Sequence, residues 1–244
     1  MNAFYKILFW AQNFFFPQVC VLCGENLNSA DEIRYSLCAD CCLSLSGKRT
    51  NGQLPEMSLC GMCGRPLISE MNFCLPCRNG KERAYDRLWV LFPYTGMYRR
   101  LLAAYKFHKT PGLANFLAEK IPGIIGGNPE LKDAVIVPVP PRPGKIKQTG
   151  WDQIDCLVKK LKKTDRGLTV SRCLKRKKSR VQKKLDRSER ILNMRGSIFA
   201  HKAAPLTALI IDDVITTGST MEACAAALKE AGTQKVYGLC LFYD

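Results

Sequence analysis

Leu209-Ile210-Ile211-Asp212-Asp213-Val214-Ile215-Thr216-Thr217-Gly218-Ser219-Thr220 decides how this chain is read. The apolar run 206–211 has the look of a strand buried on both faces, as in a parallel sheet. It delivers two adjacent acids to its carboxyl end. Small hydroxyl residues around Gly218 follow, and then an Ala-rich helix over 221–230, stopped by Gly232. Loop amides at a helix N-terminus favour a phosphate dianion. Thr216, Thr217, Ser219 and Thr220 add hydroxyl donors, and Gly218 lets the backbone approach a ligand. Two carboxylates beside a phosphate cradle repel the phosphate unless they face something else. Sugar hydroxyls, or magnesium carried in by the ligand, would satisfy them. The stretch therefore reads as a site for a ribose-like group with a phosphate at one end. An ordinary capped turn does not explain two acids followed by four hydroxyl residues around a Gly. Nor is it a P-loop, since no Gly-Lys-Ser/Thr ending is present.

The surrounding periodicity places this loop in an α/β domain. Strands are expected over 87–94 (closed by Pro93), 134–139, 168–173 and 235–243. Helices are expected over 97–106, 113–121 (closed by Pro122-Gly123) and 151–161, with 188–194 a further candidate. Strands alternating with helices imply a mainly parallel sheet.

The first third of the chain is different. Of 13 cysteines, eight form Cys-x-x-Cys pairs: Cys20/Cys23, Cys38/Cys41, Cys60/Cys63 and Cys74/Cys77. Two intervening residues let both sulfurs of a tight turn reach one ion, and a tetrahedral zinc needs two such turns. The natural partition is Cys20/23/38/41 and Cys60/63/74/77, with an interleaved pairing as the alternative. All-cysteine sets imply two closed, structural zinc sites. Disulfides would need an oxidising compartment. Residues 1–16 lack the features of an export signal and read as an amphipathic helix. A cytoplasmic location is therefore expected. The polar stretch 78–83 reads as a linker, which divides the chain into a zinc module (1–80) and an α/β domain (81–244).

The 244 residues carry 37 Lys+Arg against 21 Asp+Glu, a net charge of +16. The segment 142–190 holds 18 of the cations and only 5 of the acids. Such a density attracts polyanions unless it is only a solvated face. No apolar run reaches the roughly 18–20 residues of a membrane span. With two histidines, His108 and His201, a Ser-His-Asp or Cys-His hydrolase lacks a placed base.

The stretch 209–220 resembles the 5-phosphoribosyl-1-diphosphate (PRPP) loop of type I phosphoribosyltransferases. The order of features extends the likeness. Phe16-Pro17 precedes Cys20-Val-Leu-Cys23-Gly24, and the remaining cysteine pairs follow. Then come Tyr105-Lys106-Phe107, Val137-Pro138-Val139-Pro140, the string Arg180-Val-Gln182…Arg190…Asn193…Phe199, and the acid-hydroxyl loop. Over nearly its whole length the chain resembles the ComF family of competence proteins, predicted amidophosphoribosyltransferases. The resemblance implies a double zinc ribbon followed by a type I phosphoribosyltransferase-like domain with a mainly parallel sheet. It assigns Asp212 and Asp213 to the ribose hydroxyls of PRPP, and Thr216, Thr217, Gly218, Ser219 and Thr220 to its 5-phosphate. Magnesium rides on the ligand. The best diphosphate loop is Val137, Pro138, Val139 and Pro140 with Arg142, unless this run is only a rigid connector. Lys106, Trp151, Gln182, Arg190 and Asn193 are implied around the cleft. The family is linked to DNA uptake, which makes single-stranded DNA and the uptake helicase machinery candidate partners. A DNA-binding adaptor without catalysis is the alternative to a transferase.

One departure stands out. Where the family usually shows Arg-Gly-Phe-Asn-Gln, this chain has Thr149-Gly150-Trp151-Asp152-Gln153. A cation is lost and a carboxylate gained near the expected diphosphate or acceptor site.

Overall fold

The computed structural model describes residues 18–46, 59–67, 72–80, 82–177 and 196–244. In chain order its helices are α1 (Ala30–Tyr35), α2 (Ala39–Leu45), α3 (Leu75–Arg78), α4 (Gly96–Lys106), α5 (Leu113–Ala118), α6 (Ile121–Gly127), α7 (Lys145–Thr149), α8 (Gln153–Thr164) and α9 (Ser219–Glu230). The strands are β1 (Arg87–Pro93), β2 (Val135–Pro138), β3 (Leu174–Arg176), β4 (Ile198–Ala200), β5 (Thr207–Ile215) and β6 (Lys235–Tyr243). The expected helices at 1–16 and 188–194, and the cleft candidates Gln182, Arg190 and Asn193, lie outside the described residues.

Four strands form one parallel sheet in the order β1-β6-β5-β2. The fold is thus α/β with a mainly parallel central sheet. Ala208, Leu209, Ile210 and Ile211 of β5 are all buried, as suits a strand covered on both faces. α9 packs over the sheet with Met221, Cys224, Ala225 and Leu228 buried. α8 buries Gln153, Ile154, Leu157, Val158 and Leu161, a stripe at helical spacing. Cys173, Cys224 and Cys240 are buried within this unit as small apolar side chains.

Contacts divide the chain into two compact units, Met1–Glu56 with Gly96–Phe116, and Met57–Thr95 with Leu117–Asp244. The first four cysteines belong to one unit and the second four to the other. In the first unit α4 ties to the cysteine segment. Tyr98 Oη donates to Leu45 O at 3.2 Å, and Arg100 Nη1 to Leu22 O at 3.2 Å.

The structure corrects three readings of local pattern. The helix expected over 113–121 ends at Ala118, and Pro122 stands in the first turn of a new helix, α6. Proline lacks only an N–H that a first turn leaves unbonded anyway. The strand expected over 168–173 is reduced to one parallel bridge, Val170 to Ile136. The regular strand begins at Leu174 and pairs antiparallel with β4. β5 does not stop at Ile211. It runs through both acids to Ile215, held by β6 as far as Tyr243.

Candidate functional site

β2 and β5 are neighbours, and Pro138 is in register with Ile211. Val139 N–H donates to Ile211 O at 3.0 Å. The proline loop therefore leaves the sheet beside the strand that carries the acid pair. This is the carboxyl edge, where parallel α/β sheets bind ligands.

The acids are tightly held. Asp213 is buried. Its Oδ1 accepts from Val214 N–H at 2.9 Å, and its Oδ2 from Gln153 Nε2 at 2.6 Å. Asp212 Oδ1 accepts from Asp213 N–H at 2.8 Å. Beyond the strand, Gly218 takes φ +80° and opens α9. Thr217 Oγ1 and Ser219 Oγ lie 2.8 Å apart. Asp212 and residues 214–221 line a cavity of about 40 Å³, more than one water occupies. The expected phosphate residues 216–220 are thus brought together beside Asp212.

Two arginines join this edge. Arg176, on β3, is pulled down from its ordinary pKa by burial and by the Arg142 guanidinium, while Asp212 acts in the opposite sense. Arg176 therefore stands within electrostatic reach of both Arg142 and Asp212. Arg142 and Arg176 also line a cleft of about 300 Å³ with Lys147 and Lys175. Arg83, expected in a linker, is 8% exposed, and its Nη1 meets Glu222 of α9 at 2.9 Å. Ala84 N–H donates to the other Glu222 oxygen at 2.9 Å. Burial opposes the Arg83 charge, and Glu222 more than restores it. A Cβ at Gly218 would come 3.9 Å from Arg83 Nη1.

The departure from the family pattern has a local explanation. Thr149 Oγ1 donates to Trp151 O at 3.0 Å, across a turn in which Gly150 takes φ +64°. Asp152 caps α8 by accepting from Asp155 N–H at 2.7 Å. Its Oδ2 meets Lys145 Nζ at 3.0 Å. The added carboxylate thus arrives with a cation and a cap. Trp151 is half-buried before α8, Lys106 ends α4 in the first unit, and His108 is exposed.

Cys20, Cys23, Cys38 and Cys41 form one cluster and Cys60, Cys63, Cys74 and Cys77 another, with sulfurs within 4.8 Å of one another. This is the natural partition, not the interleaved one. Cys23 and Cys38 sulfurs are 3.5 Å apart, and those of Cys63 and Cys74 are 3.6 Å apart. Zn–S bonds of about 2.3 Å in a tetrahedron set sulfurs about 3.8 Å apart, so both sets fit zinc. Burial raises the Cys20 and Cys60 thiols, but backbone N–H donors outweigh it and bring them to about 7 and about 6. Cys20 owes this to the amides of Cys38, Leu22 and Cys23, and Cys60 to those of Cys63, Cys74 and Met62.

In the first cluster Glu32 closes a capping box with Ser29 and also accepts from Ala39 N–H at 2.7 Å. It thereby ties the start of α1 to the second cysteine turn. The Ala39 and Asn28 amides hold its carboxyl below its ordinary pKa. The contribution is therefore complete above that ordinary value and is lost as pH falls through the lowered one. Glu32→Ala is expected to cost about 1 kcal/mol and to release metal from the first cluster at lower chelator concentration. Unchanged release would show that Glu32 does not order this loop.

No family model matches the chain. Competence protein F of Haemophilus influenzae is 24% identical over 231 residues, covering 91% of this chain and 95% of that protein. ComFC of Bacillus subtilis is 26% identical over 182 residues, 71% of this chain and 72% of the relative. ComFC of Streptococcus pneumoniae is 24% identical over 226 residues, 89% of this chain and 96% of the relative. No helix among the described residues is long and apolar enough to cross a membrane.

Proposed function

We propose that this chain, similar to three competence proteins, is a ComF-family protein that binds PRPP with magnesium and transfers or releases the phosphoribosyl group in the service of DNA uptake. One observation carries this reading. A buried strand carries an acid pair near its carboxyl end and runs into a hydroxyl loop at the N-terminus of a twelve-residue helix, beside the proline loop of the neighbouring strand.

In this reading Asp212 and Asp213 accept from the ribose hydroxyls. The loop 216–220 holds the 5-phosphate through backbone amides and hydroxyls. Val137–Pro140 and Arg142 face the diphosphate. The bond from the anomeric carbon to diphosphate oxygen breaks, and the electron pair leaves with the diphosphate. An electron-rich acceptor then bonds to that carbon. The two acids, Asp213 buried and Asp212 half-buried, face the positive charge that develops on the sugar. Magnesium bound with the ligand would supply charge neutralisation for the departing diphosphate. Calorimetric titration of PRPP is expected to give saturable heat with magnesium and little without it. No heat under either condition would overturn the reading.

The cationic cleft favours a second reading, in which the chain is an adaptor that holds single-stranded DNA. Arg142, Lys147, Lys175 and Arg176 line one groove, and phosphate contacts of that kind weaken steeply with salt. Affinity for an oligodeoxynucleotide that does not change between low and physiological salt would sink the adaptor reading.

A further inference from the structure

The acid pair does not stand alone at the edge of the sheet. Lys145 Nζ lies 3.0 Å from Asp152 Oδ2 and 2.5 Å from Gln153 Oε1. Gln153 turns its amide nitrogen the other way, onto Asp213 Oδ2 at 2.6 Å. An amide has one accepting and one donating end. Its buried side chain could meet Asp213 with either. An oxygen facing the carboxylate would be repulsive and would leave a buried donor unsatisfied. The ammonium of Lys145 removes that alternative by engaging the oxygen. Asp152 holds Lys145 in place and is itself fixed as the cap of α8.

We propose that Lys145 and Gln153 are positioning residues for Asp213. Lys145 locks the orientation of the Gln153 amide, and the amide holds the Asp213 carboxylate ionised and aimed at the sugar end of the ligand. A hydrogen bond donated to a carboxylate favours its charged form, and bonds to charged groups are the stronger kind. The chain Asp152–Lys145–Gln153–Asp213 contains two carboxylates and one ammonium. The inference rests on the proposed role of Asp213 at the ribose hydroxyls. It also gives the carboxylate at position 152 a purpose, because Asp152 is what anchors the ammonium.

The competing view is that Lys145 simply contacts the diphosphate. Half-ligands separate the two. Wild type, Lys145→Met and Gln153→Glu are titrated with ribose 5-phosphate and, separately, with inorganic diphosphate, both with magnesium. Both variants are expected to bind ribose 5-phosphate about tenfold or more weakly, the scale of one charge-assisted hydrogen bond, and to bind diphosphate nearly as wild type does. A Lys145→Met protein that loses diphosphate and keeps ribose 5-phosphate would overturn the proposal. The lock is also read without ligand. In a nitrogen-15 spectrum the Gln153 side-chain amide proton facing Asp213 is expected downfield, and Lys145→Met is expected to move it upfield. No movement overturns the lock. A wild-type protein that bound neither half-ligand nor PRPP would overturn the proposed function, while the spectrum would still decide whether Lys145 orients Gln153.

Discussion

Replacing Asp212 and Asp213 together by Ala is expected to abolish PRPP binding while both cysteine clusters stay loaded. Each carboxylate would lose hydrogen bonds to sugar hydroxyls, and bonds to charged groups are worth about 1.5–3 kcal/mol each. Two such losses correspond to about a hundredfold to ten-thousandfold in affinity. The double change also has a folding cost. Val214 N–H and Gln153 Nε2 both lose the acceptor they find on Asp213, at about 1–3 kcal/mol for a buried donor left unsatisfied. Asp212→Ala alone leaves both those bonds intact and is the cleaner binding variant. Calorimetry for binding, with a thermal melt and a metal assay for folding, separates the effects. An affinity within threefold of wild type in the double variant would remove the acids from the site.

The second large effect is expected at Gly64. It follows the Cys60/Cys63 turn with φ +65°, and an added Cβ would lie 2.8 Å from both Leu88 Cδ2 and Val90 Cγ2. Leu88 N–H also donates to Met62 O at 2.9 Å, so the cysteine turn is bonded directly to β1. Gly64→Ala should combine left-handed strain of about 1–2 kcal/mol with overpacking of about 1–3 kcal/mol. The matched control is Gly24, the corresponding glycine of the first cluster. It has φ +83° but nothing within 4 Å of a built Cβ. Gly24→Ala should show the backbone cost alone. Equal melting shifts in the two variants would mean that the seat against β1 contributes nothing.

Much of this arrangement was legible in the chain itself. A buried strand, two acids and a hydroxyl loop are local features, and they are found together in β5 and the start of α9. The cysteine pairs are local too, and the clusters follow their natural partition. Residues whose roles depend on distant partners were not legible. Arg83 sits in a polar run and reads as linker, yet its partner Glu222 lies on α9. Gln153 was visible as a surviving family position, but nothing local to it names Asp213. Asp152 looked like an uncompensated charge because its partner is Lys145, back in α7 beyond the Gly150 turn. The displaced strand at 174–176 has the same cause. Its register is set by Ile198–Ala200, not by its own apolar residues. Helix α6 was hidden by its composition, since four of its seven residues are Gly or Pro.

Leu88 is gripped from both sides, by Gly64 and by Gly238 of β6, where an added Cβ would lie 2.7 Å from Leu88 Cδ1 and 2.9 Å from Met221 Sδ. Among the described residues β1 has only β6 as its neighbour in the sheet, and Arg65 Nε reaches Tyr243 Oη at 3.1 Å. This has a consequence for biosynthesis. The cysteines at 60–77 leave the ribosome early, but the surface that seats them is complete only when Lys235–Tyr243 has been made. Until then the thiolates are open to oxidation and to the wrong metal. Zinc supplied during translation should therefore raise the yield of correctly loaded protein more than zinc added after the chain has folded.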